Sequence, residues 1–294
     1  MARIAIIGPG AIGATIAAWL SFTGRHEIFL CARRPLSGLT VETTAGIIAV
    51  QPTTLTDPAA APAVDWVLVT TKSYDAPGAG SWFPRLSATG APVAILQNGV
   101  EHRERFVAFL PADRIVPVIV DLPAERTGRN QVRQRGPGLL TVADDPQGRE
   151  FAALFTGTDL TLALTADFTT AAWRKLCLNS AGALSALLLQ PAGVLRDEAL
   201  GEVARDLVRE CIAVGRAEGA GLEEELVEAV LRNYRSAPPD AVNSLHADRA
   251  AGRPMEIDAR NGVIVRLGRK HGIPTPCNRM AVALLTALAK PAAV

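Results

Sequence analysis

Apolar positions change their period near the middle of the chain. In the first part they come as short unbroken runs: Ile4-Ala5-Ile6-Ile7, Ile28-Phe29-Leu30-Cys31, Trp66-Val67-Leu68-Val69, Val93-Ala94-Ile95-Leu96 and Ile115 to Val120. Short runs rich in β-branched residues, bounded by turn formers, predict parallel strands covered on both faces. Residues 36–62 mix Thr, Pro, Ala and Gly with small apolar pieces such as Gly46 to Val50, which predicts short strands and loops. Thr127 to Val142, rich in Gly, Arg and Gln, predicts an antiparallel hairpin at the sheet edge. From Ala166 the period becomes helical. Leu200, Val203, Ala204, Leu207, Val208, Cys211 and Ile212 step by three and one and make a single apolar face. Further helices are predicted near Thr170–Leu189, Glu223–Tyr234, Ala241–Ala251, Ile257–Lys270 and Asn278–Leu288, with Pro191, Pro238-Pro239, Gly252 and Pro274 between them and Asp240 as a cap.

The expected fold class is therefore α/β, with a Rossmann-like dinucleotide-binding domain over 1–165 and an all-helical domain over 166–294. The 294 residues suffice for two domains, and nearly half are hydrophobic. A net charge of +1 without a basic block speaks against nucleic acid or an anionic membrane as partner. Cys31, Cys177, Cys211 and Cys277 form no C-x-x-C pair, and the four histidines show no H-E-x-x-H spacing. Free thiols in a reducing compartment and no metal site are expected. Met1 to Leu20 superficially resembles a secretory signal, but three glycines and a proline interrupt it, and no apolar run is long enough to span a membrane. A cytoplasmic protein is expected.

The first run leads into Gly8-Pro9-Gly10-Ala11-Ile12-Gly13, a G-x-G-x-x-G between a strand and a helix. Gly8 would make the tight turn, Gly10 would let backbone approach a pyrophosphate, and Gly13 would let helix pack on strand. The N–H groups of the following helix would meet the phosphates. A user of NAD carries Asp or Glu about 20 residues further on. Here Ala32-Arg33-Arg34 ends the second strand, and a guanidinium at Arg33 suits the 2′-phosphate of NADP. Lys72 and Asn98 follow later strands, at the ends that line a ligand crevice.

In the helical half, Lys175 and Asn179 lie four apart on one face, among Trp173, Leu176, Cys177 and Leu178. A desolvated lysine loses basicity and becomes a useful general acid; a core helix whose lysine snorkels to water is the plainer alternative. Ser244 and Asp248 again share a face, and Glu256 opens the next helix, with Asn261 a little over one turn on.

Taken together, these stretches resemble the ketopantoate reductase (2-dehydropantoate 2-reductase) family over nearly the whole chain. The shared marks are the N-terminal G-x-G-x-x-G, Thr71-Lys72, Gln97-Asn98-Gly99, Trp173-Arg174-Lys175-Leu176 with Asn179, Ser244 with Asp248, Glu256-Ile257-Asp258 and Asn261-Gly262. The resemblance implies a Rossmann domain and a helical domain of the 6-phosphogluconate dehydrogenase C-terminal type, with NADPH and a 2-keto acid in the cleft between them. It implies reduction of ketopantoate to pantoate in pantothenate biosynthesis. Lys175 would be the general acid, Asn98 would position substrate and nicotinamide ribose, and Asn179, Ser244 and Asp248 would bind substrate. Glu256 would support Lys175 and the cofactor, and Lys72 would contact the cofactor. The apolar helical domain offers a surface for a homodimer.

Three positions depart from the family pattern. Ala183 and Gly193 stand where members often carry asparagine, and Met255 replaces a threonine or serine before Glu256. Fewer amides change what a site built on hydrogen bonds accepts. Two alternatives therefore stay open: a D-2-hydroxyacid dehydrogenase acting on another branched or aromatic 2-keto acid, and a non-catalytic NADP-binding sensor.

Overall fold

The computed structural model describes residues 1–289. Contacts divide it into two units, one ending at Ala166 and the other starting at Asp167. The first runs β1 (Ala2–Ile7), α1 (Ala11–Phe22), β2 (His26–Cys31), β3 (Leu39–Thr43), β4 (Gly46–Val50), β5 (Thr53–Leu55), β6 (Trp66–Val69), α2 (Ala76–Gly80), α3 (Phe83–Leu86), β7 (Val93–Ile95), β8 (Ile115–Pro117), β9 (Ile119–Asp121), β10 (Ala124–Gly128), β11 (Gln131–Gln134), β12 (Gly138–Ala143), α4 (Pro146–Leu154) and β13 (Leu160–Thr165).

Six strands form a parallel sheet in the order β5-β2-β1-β6-β7-β8. The chain leaves β1 on one side through β2 and returns on the other through β6, so the order reverses beside β1. Ligands of such sheets bind outside the carboxyl ends of the strands at that reversal. Each face of β1 is buried in its own core. Ile4 and Ile6 pack with Trp19, Leu30 and Leu68, whereas Ala5 and Ile7 pack with Phe29, Val67 and Phe83. This two-sided burial is why the strand reads as an unbroken apolar run.

The predicted hairpin forms, but away from the edge of that sheet. β10 and β11 pair antiparallel within a separate sheet, β10-β11-β3-β4, while β12 lies between β9 and β13 in a third. The reason is one-sided burial. β3 alternates buried and exposed residues, as does β11, so both need a cover on one face only. Helix α1 supplies it: Val41, Ile48 and Val132 share a core with Ile16 and Trp19, and the buried Trp19 Nε1–H donates to Gln134 Oε1 at 2.8 Å.

The second unit comprises α5 (Phe168–Ala181), α6 (Ala183–Leu188), α7 (Glu198–Ala217), α8 (Leu226–Ser236), α9 (Ser244–Ala250), α10 (Val263–His271) and α11 (Pro276–Ala289). The apolar face predicted on residues 200–212 is buried along α7. Three local expectations change. The helix predicted over Thr170–Leu189 breaks at Gly182, where a Cβ would stand 2.6 Å from Tyr234 Oη and 2.9 Å from Arg260 Nη2. The helix predicted from Ile257 begins as a π-turn over Asp258–Gly262, closed by Gly262 N–H to the Ile257 carbonyl at 2.9 Å. The cap of α9 is Asn243, whose Oδ1 accepts from the His246 N–H at 3.0 Å; Asp240 lies in the preceding turn. Among the described residues no helix is long and apolar enough to cross a membrane.

Gln134→Met removes the acceptor of the buried Trp19 indole N–H. It should lower the unfolding free energy by about 1–3 kcal/mol, read from a shifted urea midpoint at unchanged slope.

Candidate active site

In the first unit the predicted residues gather at the carboxyl ends of adjacent strands. The glycine turn joins β1 to α1, Arg33 follows β2, Lys72 follows β6 and Asn98 lies beyond β7. Hydrogen bonds stitch these ends together. Gly8 N–H donates to the Cys31 carbonyl at 3.1 Å. Thr70 Oγ1–H reaches the carbonyls of Ile7 and Gly8 at 3.0 and 2.8 Å. Gln97 Nε2 donates to Thr71 Oγ1 at 3.1 Å and to the Lys72 carbonyl at 3.3 Å. Arg105 Nη1 donates to the Asn98 carbonyl at 3.1 Å. Behind them His102 is buried, which pushes its pKa down to about 4 and leaves a neutral ring whose Nε2 meets the Gln97 carbonyl at 3.1 Å.

The three glycines are not equivalent. Gly8 has φ +88°, and a Cβ there would stand 2.5 Å from Thr71 Cγ2 and 2.9 Å from the Thr71 amide nitrogen. A Cβ on Gly13 would stand 2.3 Å from Thr70 Oγ1. The fold itself therefore demands these two. Around Gly10 a Cβ would find only the Gly8 carbonyl, at 3.8 Å, so packing leaves that face open to a ligand that must come close to backbone. Gly10 caps α1 without a side chain, and the first turn of α1 carries no acidic residue. Its N–H groups and the positive end of the helix dipole suit a phosphate anion. Arg33 is exposed just past β2. The residues present thus fit a dinucleotide. Arg126 on β10, which the sequence reading passed over, donates through Nη2 to the Pro9 carbonyl at 2.5 Å and brings a further cation to the glycine turn.

The second unit gathers its polar residues at the carboxyl end of α5. Lys175 and Asn179 lie on that helix, each partly buried. Burial first, and the nearby Arg260 guanidinium second, lower the pKa of the Lys175 ammonium to about 8. One turn on, the Asn179 Nδ2 is buried and meets no acceptor among the described residues. Glu256 is 5% exposed, and its carboxylate lies close enough to Arg260 to stabilise that cation. The last carbonyls of α5 are taken up by side chains. Tyr234 Oη–H donates to Leu178 at 2.9 Å, Arg260 Nη2 to Asn179 at 2.7 Å, Asn261 Nδ2 to Ser180 at 3.1 Å and Asn243 Nδ2 to Gly182 at 3.0 Å.

Ser244 is exposed at the start of α9, next to the Asn243 that binds α5. Asp248, expected to contact substrate, is buried in an ion pair with Arg253 Nε at 2.9 Å and so closes the end of α9. Met255 is buried beside Glu256. Arg260 was missed, although a signal existed: it stands four residues after Glu256, the spacing at which opposite charges meet on a helix.

Comparison with known proteins gives one consistent result. A family model described as ketopantoate reductase PanE/ApbA matches residues 4–147, and its C-terminal counterpart matches residues 167–289. A 2-dehydropantoate 2-reductase of Caulobacter vibrioides is 53% identical over 98% of this chain and 100% of its own. One of Mycobacterium tuberculosis is 40% identical over 97% of each chain. The crystal structure of a PanE/ApbA family ketopantoate reductase from Ralstonia eutropha JMP134 superposes with a TM-score of 0.89, at 35% identity over 98% of both chains.

The Lys175 amine should react with an acylating reagent along a titration curve centred near pH 8, against about 10.4 for an ordinary lysine. Mass spectrometry of the labelled peptide across pH checks this.

Proposed function

The chain belongs to the ketopantoate reductase family, and from that premise we propose that it reduces 2-dehydropantoate to pantoate with NADPH, Lys175 being the proton donor. The observation that carries this reading is the pair on α5: an ammonium with a pKa of about 8 and, one turn later, a buried amide donor without a protein acceptor. A lysine that is protonated at neutral pH yet poorly solvated gives up its proton readily to a strong base. An alkoxide is such a base.

When bound, the dihydronicotinamide supplies the hydride for the keto carbon. The chain's own residues do the rest. The glycine turn and the first turn of α1 bind the pyrophosphate, and Arg33 takes the 2′-phosphate, which makes NADPH the preferred reductant. Lys72 and Asn98 hold the ribose side of the cofactor, and Asn98 also orients the keto acid. Lys175 Nζ–H donates to the ketone oxygen, stabilises the negative charge that develops there, and transfers its proton. Asn179 Nδ2 and the Ser244 hydroxyl hold the polar ends of the substrate. Glu256 supports the cofactor and, through Arg260, the lysine. Asp248 serves this arrangement by bracing α9 against Arg253, since a carboxylate turned to an anionic substrate would repel it.

Lys175→Ala should lower kcat by at least about 10²-fold while the dissociation constant for NADPH, read by fluorescence titration, stays within a factor of about two. A variant that turns over ketopantoate at the parental rate would sink the assignment. Arg33→Asp should raise the KM for NADPH by roughly tenfold or more and barely change that for NADH, as expected for loss of one charge-assisted contact worth about 1.5–3 kcal/mol. Steady-state kinetics with both cofactors decide; equal changes would refute the 2′-phosphate role.

A further inference from the structure

Arg260 is a costly residue for its place. Its side chain is 1% exposed, and its Nε–H is buried with no acceptor among the described residues. Leaving a buried donor on a cation unsatisfied is unfavourable, and an apolar residue of similar volume is often as stable or more so. The position is nonetheless tightly built. Nη2 donates to the Asn179 carbonyl at 2.7 Å, and it lies so near Gly182 that a Cβ there would stand 2.9 Å away. The arginine rises from the π-turn, a local irregularity that aims the side chain at α5 and that recurs at functional sites.

We propose that Arg260 is a positioning residue of the reductase: it clamps the Asn179 carbonyl, and with it the substrate-facing amide, and it sets a fixed second positive charge against the Lys175 ammonium. The inference rests on Lys175 being the proton donor. Burial supplies the larger part of the lysine's readiness to release a proton, and Arg260 adds to it, because two cations near one another disfavour the protonated lysine. An arginine suits the task because its guanidinium stays charged in such surroundings and its fork can hold the Asn179 carbonyl in a fixed direction. The Glu256 and Asp248 carboxylates support the charge against the effect of burial. Of the elements around α5, the helix itself carries Arg174, α8 brings Tyr234, the π-turn segment brings Glu256 and Arg260, α9 brings Asp248, and α7 brings Cys211 beside Cys177. Among them Arg260 is the cation that acts on Lys175.

The test compares Arg260→Gln and Arg260→Met, two neutral replacements, with Arg260→Lys, which keeps a charge but not the fork. Two readouts apply: the pH midpoint of Lys175 acylation in the free protein, and the high-pH limb of kcat/KM for ketopantoate with NADPH. Removing a cation raises the pKa of its neighbour. Either neutral variant should therefore move both midpoints upward by roughly half a pH unit or more, with KM for the keto acid raised severalfold. The lysine variant should hold the midpoints in place while KM still rises. Midpoints that stay put in a folded neutral variant would overturn the proposal, as would a shift of equal size in the lysine variant. If neither neutral variant folds, the lysine variant decides: a raised KM at an unmoved midpoint supports the clamp, and a parental KM overturns it. Lys175→Ala in the same assay separates the two readings. If it is active, the proton-donor assignment falls; if it is inactive and the midpoints do not move, only the role of Arg260 falls.

Discussion

The second unit depends on how the carboxyl end of α5 is satisfied. A helix leaves its last carbonyls without intrahelical partners, and inside a protein they must be met by something other than water. Here Tyr234, Arg260, Asn261 and Asn243 meet four of them, from α8, the π-turn and the cap of α9. Three elements distant in sequence are thereby brought into register with one helix. The chain of contacts continues outward. Asn261 Nδ2 also donates to Asn278 Oδ1, and the Glu210 carboxylate on α7 accepts from Asn278 Nδ2 and from the N–H groups of Cys277 and Asn278. A carboxylate at the start of α11 is favoured by the helix dipole, so the same network that ends α5 also begins α11.

This accounts for where the proposed chemistry is placed. A helix end held by side chains cannot fray, so Lys175 and Asn179 sit on backbone fixed by contacts other than their own. The geometry asks for a glycine at position 182, because the carbonyl there turns to Asn243 while Tyr234 and Arg260 crowd the place of a Cβ. It also demands a cation in the interior, which has a cost in desolvation. In the proposed reaction that cost is offset by what the cation does to the lysine beside it. In the first unit the corresponding constraint is simpler. Thr70 and Thr71, just past β6, fill the space that side chains on Gly13 and Gly8 would need, so the end of β6 defines the turn's shape before any ligand is bound.

The difference between the two units explains what could be read from the residues alone. The glycine turn, the strand runs and the arginine after β2 were legible because their signals are local: a turn that needs positive φ, strands buried on both faces, a strand end without a carboxylate. The position of β10 and β11 was not legible, because a hairpin pattern states how two strands pair and not which helix covers them; that was decided by Trp19 and Gln134, far apart in sequence. The break at Gly182 was hidden for the same reason. Leu184, Leu187 and Leu188 continue an apolar helical pattern through it, and the side chains that interrupt the helix come from other elements. Lys175 could be singled out but not assigned, since a lysine on an apolar helix also suits snorkelling; the partners that distinguish the two cases are tertiary.

The departures from the family pattern take on a structural meaning on the same grounds. Gly193 N–H donates to the Pro239 carbonyl at 3.2 Å, and a Cβ at 193 would stand 2.9 Å from that oxygen. The turn after α8 occupies the space an asparagine side chain would need, and the backbone pairing depends on its absence. Ala183 is fully buried at the start of α6, next to the crowded Gly182. Neither position leaves a vacant socket for a missing amide; each is packed for the residue it has. In the proposed reaction, recognition of the keto acid by amide groups in this unit then falls to the Asn179 Nδ2, a buried donor without a protein acceptor among the described residues. A site that relies on few donors discriminates sharply on each of them, because an analogue that fails to accept leaves a buried N–H unpaired. On the proposed mechanism the clamp on the Asn179 carbonyl bears on substrate choice as much as on proton transfer.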